Sequence, residues 1–350
     1  FEQPRKGRFR GGPGQTYLRR AKRRGNVIVL TDTMCRRVLI DERRAVGAVL
    51  ERDGREFVVK ALREVIVSSG TLRSPQLLQV SGIGAPGHLK RLGVDVVADR
   101  PAVGENLRDH FYTRLTQRVA GMVTLNERSR GVHLVRELLQ YALLGRGLLT
   151  LGASTAAAFA RSRADLPGPD LQLSFAPGSF QPGTYRLENE SGMTIALYHS
   201  YPESKGTVAA RSADTRDKPV IDPNYLSVQS DVEAQLAGVR LARRIFGAPR
   251  FSSIAVRETK PGIDLSSDDE LISYIRATGV PGFHLVGTCR MGGDEASVVD
   301  PTLKVRGIDG LRVVDASVMP TCTSGNTNAP TIMVAEKGAD MILQEARRER

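Results

Sequence analysis

Five short apolar segments crowd into the first 70 residues: NVIVL at 26–30, RVLI at 37–40, AVGAVLE at 45–51, the stretch 57–60, and VIV at 65–67. Runs this short, rich in β-branched residues and separated by turn-forming ones, read as strands rather than helices. The last shows no polar alternation and stops at Ser68-Ser69-Gly70, as a buried parallel strand fed by a small meander would. Ser74-Pro75 then read as cap and first residue of a short helix through Leu77, Leu78 and Val80, which Gly82 stops.

From Thr113 to Arg276 the pattern changes. Alternating segments at 171–175, 193–198 and 206–211 predict an antiparallel sheet, and 132–144 and 231–246 have helical periodicity. Ser267 and Glu270 form a capping box for a helix over 271–277. After this block the chain turns small and Gly-rich, with a strand at 311–314, a tight Asp315-Ala316-Ser317 turn and a final helix over about 329–345. At roughly 150 residues per domain, 350 residues make about two domains.

The net charge of +12 raises the question of a polyanion partner, and its distribution answers it. Residues 1–24 carry nine Lys/Arg against Glu2, and 347–350 add a net +2, so the body of the chain is close to balanced. No interleaved aromatics accompany the basic ends, so a nucleic-acid groove is not expected. Cys35, Cys289 and Cys322 lie far apart without a CxxC pair, which suggests neither a disulfide framework nor zinc and fits a reducing cytoplasm. His88, His133 and His199 lack metal-ligand spacing, and no metal is expected. No apolar run approaches the ~20 residues that span a bilayer, leaving peripheral contact as the membrane option.

Gly82, Gly84 and Gly87 spell GxGxxG, the dinucleotide fingerprint, with Asp99 and Glu105 downstream. The fingerprint needs a strand before it and a helix opening at its end. Here a helix precedes it and Pro86 removes an N–H, so a helix cap and turn is the better reading. A stronger constellation is His284 within PGFHLVGTCRMGG, followed by a strand ending at Asp315 and a Gly325-Asn326-Thr327-Asn328 turn before a helix. The carboxyl end of a strand beside a helix N-terminus is where the polar part of a cofactor lies in open α/β folds. By spacing alone, a single His is more often structural than a base.

The segments GTLRSPQLLQVSGIG (70–84), VGENLRDH (103–110), HLVGTCRMG (284–292), VVDPTLKVRGIDGLRVVDASVMP (298–320) and GNTNAPTIMVAEKGADMI (325–342) resemble the glucose-methanol-choline (GMC) flavin oxidoreductases. They are most similar to bacterial choline-dehydrogenase-like and alcohol-dehydrogenase-like members. The resemblance implies an α/β plus α+β architecture: a discontinuous, Rossmann-like FAD-binding domain (1–112 and 281–350) with an antiparallel-sheet substrate domain (113–280) inserted. It implies FAD as cofactor and oxidation of a primary alcohol, choline-like or aliphatic, by proton abstraction and hydride transfer to flavin N5.

Carried over by position, His284 and Asn328 are the catalytic pair. Cys35, Ser69, Gly70, Asp315, Ala316 and Ala329 are the cofactor-binding set, Cys35 standing where the family usually has a valine. His110 reads as structural, fixing a turn near the domain boundary. The family's βαβ unit with the true GxGxxG is absent and the chain begins with Phe1. It therefore reads as a piece of a longer protein, with the isolated chain expected to be inactive. Two further readings stand beside this one: the hydroxynitrile lyase reaction of the same family, and a non-catalytic basic protein that binds polyanions. The alcohol is expected as a small-molecule partner, with a quinone, a carrier protein or oxygen as electron acceptor. The expected setting is the cytoplasm, with or without membrane association.

Overall fold

The computed structural model describes residues 5–6, 9–150, 152, 154–181, 184 and 186–348. The side chains of the first four cations of the basic N-terminal cluster, Arg5, Lys6, Arg8 and Arg10, lie outside the described set. Two clusters of buried apolar side chains organise the rest. One gathers Val38, Val67, Leu78, Ile83, Val286 and Val313. The other gathers Leu115, Leu171, Ile195, Leu197, Val239 and Ile275.

The first cluster is built on an antiparallel meander of β1 (Met34–Asp41), β2 (Arg44–Arg52) and β3 (Arg55–Lys60), followed by β4 (Val65–Val67) and helix α1 (Arg73–Val80). The expected strand at 26–30 does not form. Those residues carry no regular secondary structure and are exposed, Ile28 to 86%. A strand is held by the partner that takes its N–H and C=O groups, and among the described residues none lies beside this segment. Helix α1 also starts two residues before the expected Ser74-Pro75 entry, at Arg73 rather than Pro75. Its N-cap is Leu72, without a side-chain cap, because the Ser74 hydroxyl is engaged by Asp315 instead. The helix ends at Ser81, and Gly82 follows with φ +85, where an added Cβ would come within 2.6 Å of the Asp95 carbonyl oxygen. Pro86 then opens a short helix, Pro86–Arg91, that contains Gly87. The GxGxxG residues are thus a helix exit, a two-residue strand (Ile83–Gly84) and a helix entry, an arrangement without the strand-to-helix loop that cradles a pyrophosphate.

The second cluster lies under a sheet. In chain order its elements are β5 (Phe111–Val119), helix α2 (Gly131–Leu144), β6 (Ala156–Ala160), β7 (Leu171–Ala176), β8 (Gly192–His199), helix α3 (Gln229–Phe246), β9 (Ala255–Lys260) and helix α4 (Asp268–Thr278). The strands run antiparallel in the order β6–β7–β8–β5–β9, and the two-residue strand Val280–Pro281 pairs with the start of β5. Helix α3 buries Val232, Leu236, Val239 and Phe246, a helical-period stripe, against β8 and β5. Each such side chain contributes about 1.5–3 kcal/mol of burial. Helix α4 carries the expected capping box, with the Glu270 N–H donating to Ser267 Oγ at 3.4 Å and the Ser267 N–H to Glu270 Oε2 at 3.0 Å.

The segment expected as a further strand of this sheet, 206–211, belongs elsewhere. Among the described residues Thr207–Ala209 pairs as a strand only with Val220–Asp222, and the ribbon is tied to the first cluster. The Val208 N–H donates to the Gly104 carbonyl at 2.7 Å, and the Ala210 N–H to Gln79 Oε1 at 2.6 Å. One side chain of α1, Gln79, and one loop carbonyl, Gly104, hold this stretch against the first cluster, which alternation alone could not reveal.

Late in the chain β10 (Leu311–Val313) returns to pair in parallel with β4, Leu311 opposite Val65 and Val313 opposite Val67. The last helix, α5 (Asn328–Arg348), packs Val334 and Gly338 into the first cluster, Gly338 beside Val314. Among the described residues no helix is long and apolar enough to cross a membrane.

Candidate active site

Strand register brings the site together. Thr113 on β5 stands opposite Leu197 on β8, and continuing that antiparallel register by three residues sets His110 beside Ser200. The return strand Val280–Pro281 runs along Tyr112 and Phe111, and the Gly282 N–H donates to the His110 carbonyl at 2.7 Å. Phe283 takes a left-handed conformation (φ +57), and the His284 N–H then donates to Asp109 Oδ1 at 2.7 Å. The other oxygen of Asp109 accepts from the Tyr225 hydroxyl at 2.6 Å. Burial pushes the Asp109 carboxyl up, against the hydrogen bonds from Tyr225 and the His284 backbone that hold it down.

The His284 ring is 2.8 Å from His110 through their Nδ1 atoms, and 2.8 Å from Asn326 Nδ2 through its own Nε2. His110 Nε2 is 2.9 Å from the Ser200 carbonyl oxygen. Aromatic rings wall the pair: Tyr198 stacks on His110 with centroids 4.2 Å apart, and Tyr112 lies 6.1 Å from His284. Burial lowers both imidazoles, His284 to about 4 and His110 to about 3, so both rings are neutral at neutral pH. His110 is wholly buried, whereas Asn326 is exposed; the Nε2 edge of His284 is therefore the one that a small molecule can approach.

The same loop is tied to the parallel strand pair. Thr71 Oγ1 donates to the Leu285 carbonyl at 2.7 Å, and Thr288 Oγ1 returns to the Thr71 carbonyl at 2.6 Å. One residue earlier, Gly70 has φ +82, and a Cβ built there meets nothing within 4 Å. Its N–H donates to Asp315 Oδ2 at 2.9 Å, and Ser74 Oγ donates to the same oxygen at 2.5 Å. Asp315 Oδ1 accepts the Ser317 N–H at 2.8 Å. Asp315 thus spends its carboxylate locking the carboxyl ends of β4 and β10 together.

The sequence-derived residues fall into three groups. His284, Gly70 and Asp315 converge through the hydrogen bonds above, with Ser69 and Ala316 adjoining. Asn328 and Ala329 are exposed at the start of α5, and no hydrogen bond among the described residues joins Asn328 to His284. Asn326, two residues earlier in the same GNTN turn, is the asparagine whose amide lies 2.8 Å from His284 Nε2. Cys35 lies apart in β1, its carbonyl accepting from Thr215 Oγ1 at 3.2 Å. The sequence did not single out Asn326 as the partner or Asp109 as a hydrogen-bond acceptor for His284, and His110, expected only to fix a turn, lies against the His284 ring. The signal for the last two was their place in VGENLRDH, a quoted motif block ending on a second His beside an acid.

A cavity of about 760 Å³ lies at the opposite ends of β4 and β10, lined by Arg44, Leu62, Ile66, Arg306 and Arg312. It is remote from the His284 cluster, and the hydrogen-bonded convergence of neutral, approachable groups locates the chemistry better than its volume does. Among the described residues no group of three His, Cys, Asp or Glu side chains could hold a metal ion.

Residues 3–112 match the N-terminal model of the GMC oxidoreductases and residues 202–335 the C-terminal one. An alcohol dehydrogenase (acceptor) of Pseudomonas putida is 38% identical over 342 residues, covering 96% of this chain and 61% of that protein. An oxygen-dependent choline dehydrogenase of Brucella ovis is 38% identical over 337 residues, covering 95% of this chain and 61% of that protein. Among solved structures, pyridoxine 4-oxidase from Mesorbium loti superposes with a TM-score of 0.83 at 26% identity, covering 96% of this chain and 62% of that one. The chain spans about 61% of the length of the curated relatives it matches.

Proposed function

The chain belongs to the GMC oxidoreductase family, and from that premise we propose that it serves FAD-dependent oxidation of a primary alcohol, aliphatic or choline-like, to the aldehyde. His284 accepts the hydroxyl proton and Asn326 holds the substrate oxygen. The observation that carries this reading is a neutral imidazole and an exposed amide facing each other at 2.8 Å, the acceptor and the donor that one hydroxyl group needs. An alcohol that replaces this direct contact, the two side chains parting to admit its oxygen, donates its O–H to His284 Nε2 and accepts from Asn326 Nδ2.

The residues around Gly70 fit a flavin. The φ of +82 turns the backbone without a side chain, the space above it is open, and the exposed start of the long helix α5 adjoins the Asn326 turn. Ser69, Gly70, Ala316 and Ala329 are proposed to line the cofactor, Asp315 to hold that lining in shape, and Cys35 to meet its distal part. The flavin, when bound, supplies the acceptor for the hydride that leaves the alcohol carbon. The chain's own work is acid–base and positional. His284 stays neutral until the O–H bond loosens, because burial disfavours its charged form. The oxyanion developing beside it then favours imidazolium. Asn326 stabilises that oxyanion without titrating.

The test is anaerobic mixing of the flavin-loaded protein with short primary aliphatic alcohols and with choline. Loss of the oxidised-flavin absorbance on mixing is expected. A flavin that no alcohol bleaches, in a protein that cleaves hydroxynitriles, would overturn the assignment. Quinone, a carrier protein and oxygen are the acceptor classes to supply in turnover assays.

A further inference from the structure

For His284 to take a proton at Nε2, that nitrogen must carry a lone pair, and a neutral imidazole is free to put its hydrogen on either nitrogen. The hydrogen-bond chain behind the ring decides the matter. The Ser200 carbonyl can only accept, so His110 Nε2, 2.9 Å away, must be the donor. A neutral His110 protonated at Nε2 has a bare Nδ1. That bare nitrogen lies 2.8 Å from His284 Nδ1, which must therefore carry the hydrogen. His284 Nε2 is left unprotonated and accepts from the Asn326 amide. The direction of these bonds is set from the Ser200 carbonyl at His110 Nε2, whose place continues the β5–β8 register; the Thr323 carbonyl is a second backbone acceptor that favours a proton on the His110 ring.

We propose that His110 is a positioning residue: it reads the Ser200 carbonyl and transmits that polarity to His284, holding it as the tautomer whose Nε2 faces the substrate as a base. The inference rests on the reading of His284 as the proton acceptor. Its geometry suits the task. His110 is fully buried and stacked on Tyr198, so its ring is held in one orientation, while His199 is engaged by Asp231 at 3.1 Å. When His284 becomes imidazolium, its Nδ1–H already points at a neutral acceptor, so the charge forms without rearrangement. Both rings being neutral at pH 7 removes the alternative in which a shared proton would blur the assignment.

The tautomers are read directly by long-range 1H–15N correlation spectra of the purified flavoprotein labelled with 15N-histidine, since the chain has only five histidines. The signals are assigned by their loss in His284→Gln and His110→Phe. The expected result is His284 protonated at Nδ1 and His110 protonated at Nε2. His284 protonated at Nε2, or carrying a full charge at pH 7, would overturn the proposal. In His110→Phe, which keeps the ring stack, the His284 spectrum should move toward the Nε2-protonated form and flavin reduction by alcohol should slow about tenfold, the effect of one lost hydrogen bond. His110→Asn, whose Oδ1 stands where Nδ1 was, should restore both. An unchanged tautomer and rate in His110→Phe would refute the role. A wild-type protein with the expected tautomers that oxidises no alcohol would instead refute the proposed reaction and leave the tautomer assignment standing.

Discussion

Replacing Asp315 by Asn tests whether the link between β4 and β10 is as stiff as the hydrogen bonds imply. The carboxylate accepts the Gly70 N–H at 2.9 Å, the Ser74 hydroxyl at 2.5 Å and the Ser317 N–H at 2.8 Å, and the residue is 7% exposed. An amide of the same shape keeps one acceptor oxygen and turns an NH2 group toward the remaining donors. If the oxygen stays with Ser317, the Ser74 hydroxyl can rotate to accept, but the Gly70 N–H cannot, and it is left facing another donor. Hydrogen bonds to a charged group are worth about 1.5–3 kcal/mol each; the Gly70 bond is lost and the Ser74 bond is replaced by a weaker neutral one, so a loss of about 2–4 kcal/mol is expected. The chain has no Trp, so unfolding in urea is best followed by far-UV circular dichroism. Hydrogen exchange on peptides spanning 69–74 and 171–176 separates the two halves. Protection should fall in the first and stay in the second, because β7 belongs to the other buried cluster. A loss under about 1 kcal/mol with unchanged exchange at Gly70 would show that the reasoning about Asp315 is wrong.

Three further predictions rest on local geometry and on protonation. Gly82→Ala should destabilise by more than about 1 kcal/mol, since the position has φ +85 and its Cβ would meet the Asp95 carbonyl at 2.6 Å. Gly87→Ala, inside the Pro86–Arg91 helix with only the tip of Arg91 at 3.8 Å, should stabilise by up to about 1 kcal/mol and leave flavin binding intact. Selective loss of flavin from a folded Gly87→Ala protein would restore the dinucleotide reading of GxGxxG. His284 and His110 titrate at about 4 and about 3 when folded against 6.5 in the open chain, so below pH 6.5 the unfolded state binds protons that the folded state refuses. Stability should therefore fall as pH drops from 6.5 to 5, its slope growing toward two protons, about 2.7 kcal/mol per pH unit. A flat urea midpoint across that window would contradict the burial of two neutral imidazoles.

Much of this fold is legible in the sequence because local pattern and tertiary environment agree. The meander, β4, β7, β8, α3 and the α4 capping box all lie where alternation, helical period and capping residues put them. The failures share a cause: a partner distant in sequence. The 26–30 segment has the composition of a strand but no strand beside it, and 206–211 alternates correctly yet is claimed by Gln79 and Gly104. Ser74 has the chemistry of a cap, but Asp315, 241 residues away, takes its hydroxyl. In the site, His284 is readable from its small-residue surroundings and motif. That Asn326 and His110 both lie against the His284 ring depends on a turn and a strand register, and neither leaves a mark in composition.

The central claim, that His284 accepts the alcohol proton, is tested most directly by rapid anaerobic mixing of alcohol with the flavin-loaded wild type and with His284→Ala. The account predicts that the variant still binds flavin and is reduced about 10²–10⁴-fold more slowly, the usual contribution of a positioned base. A His284→Ala protein that holds its flavin and is reduced at the wild-type rate would contradict it.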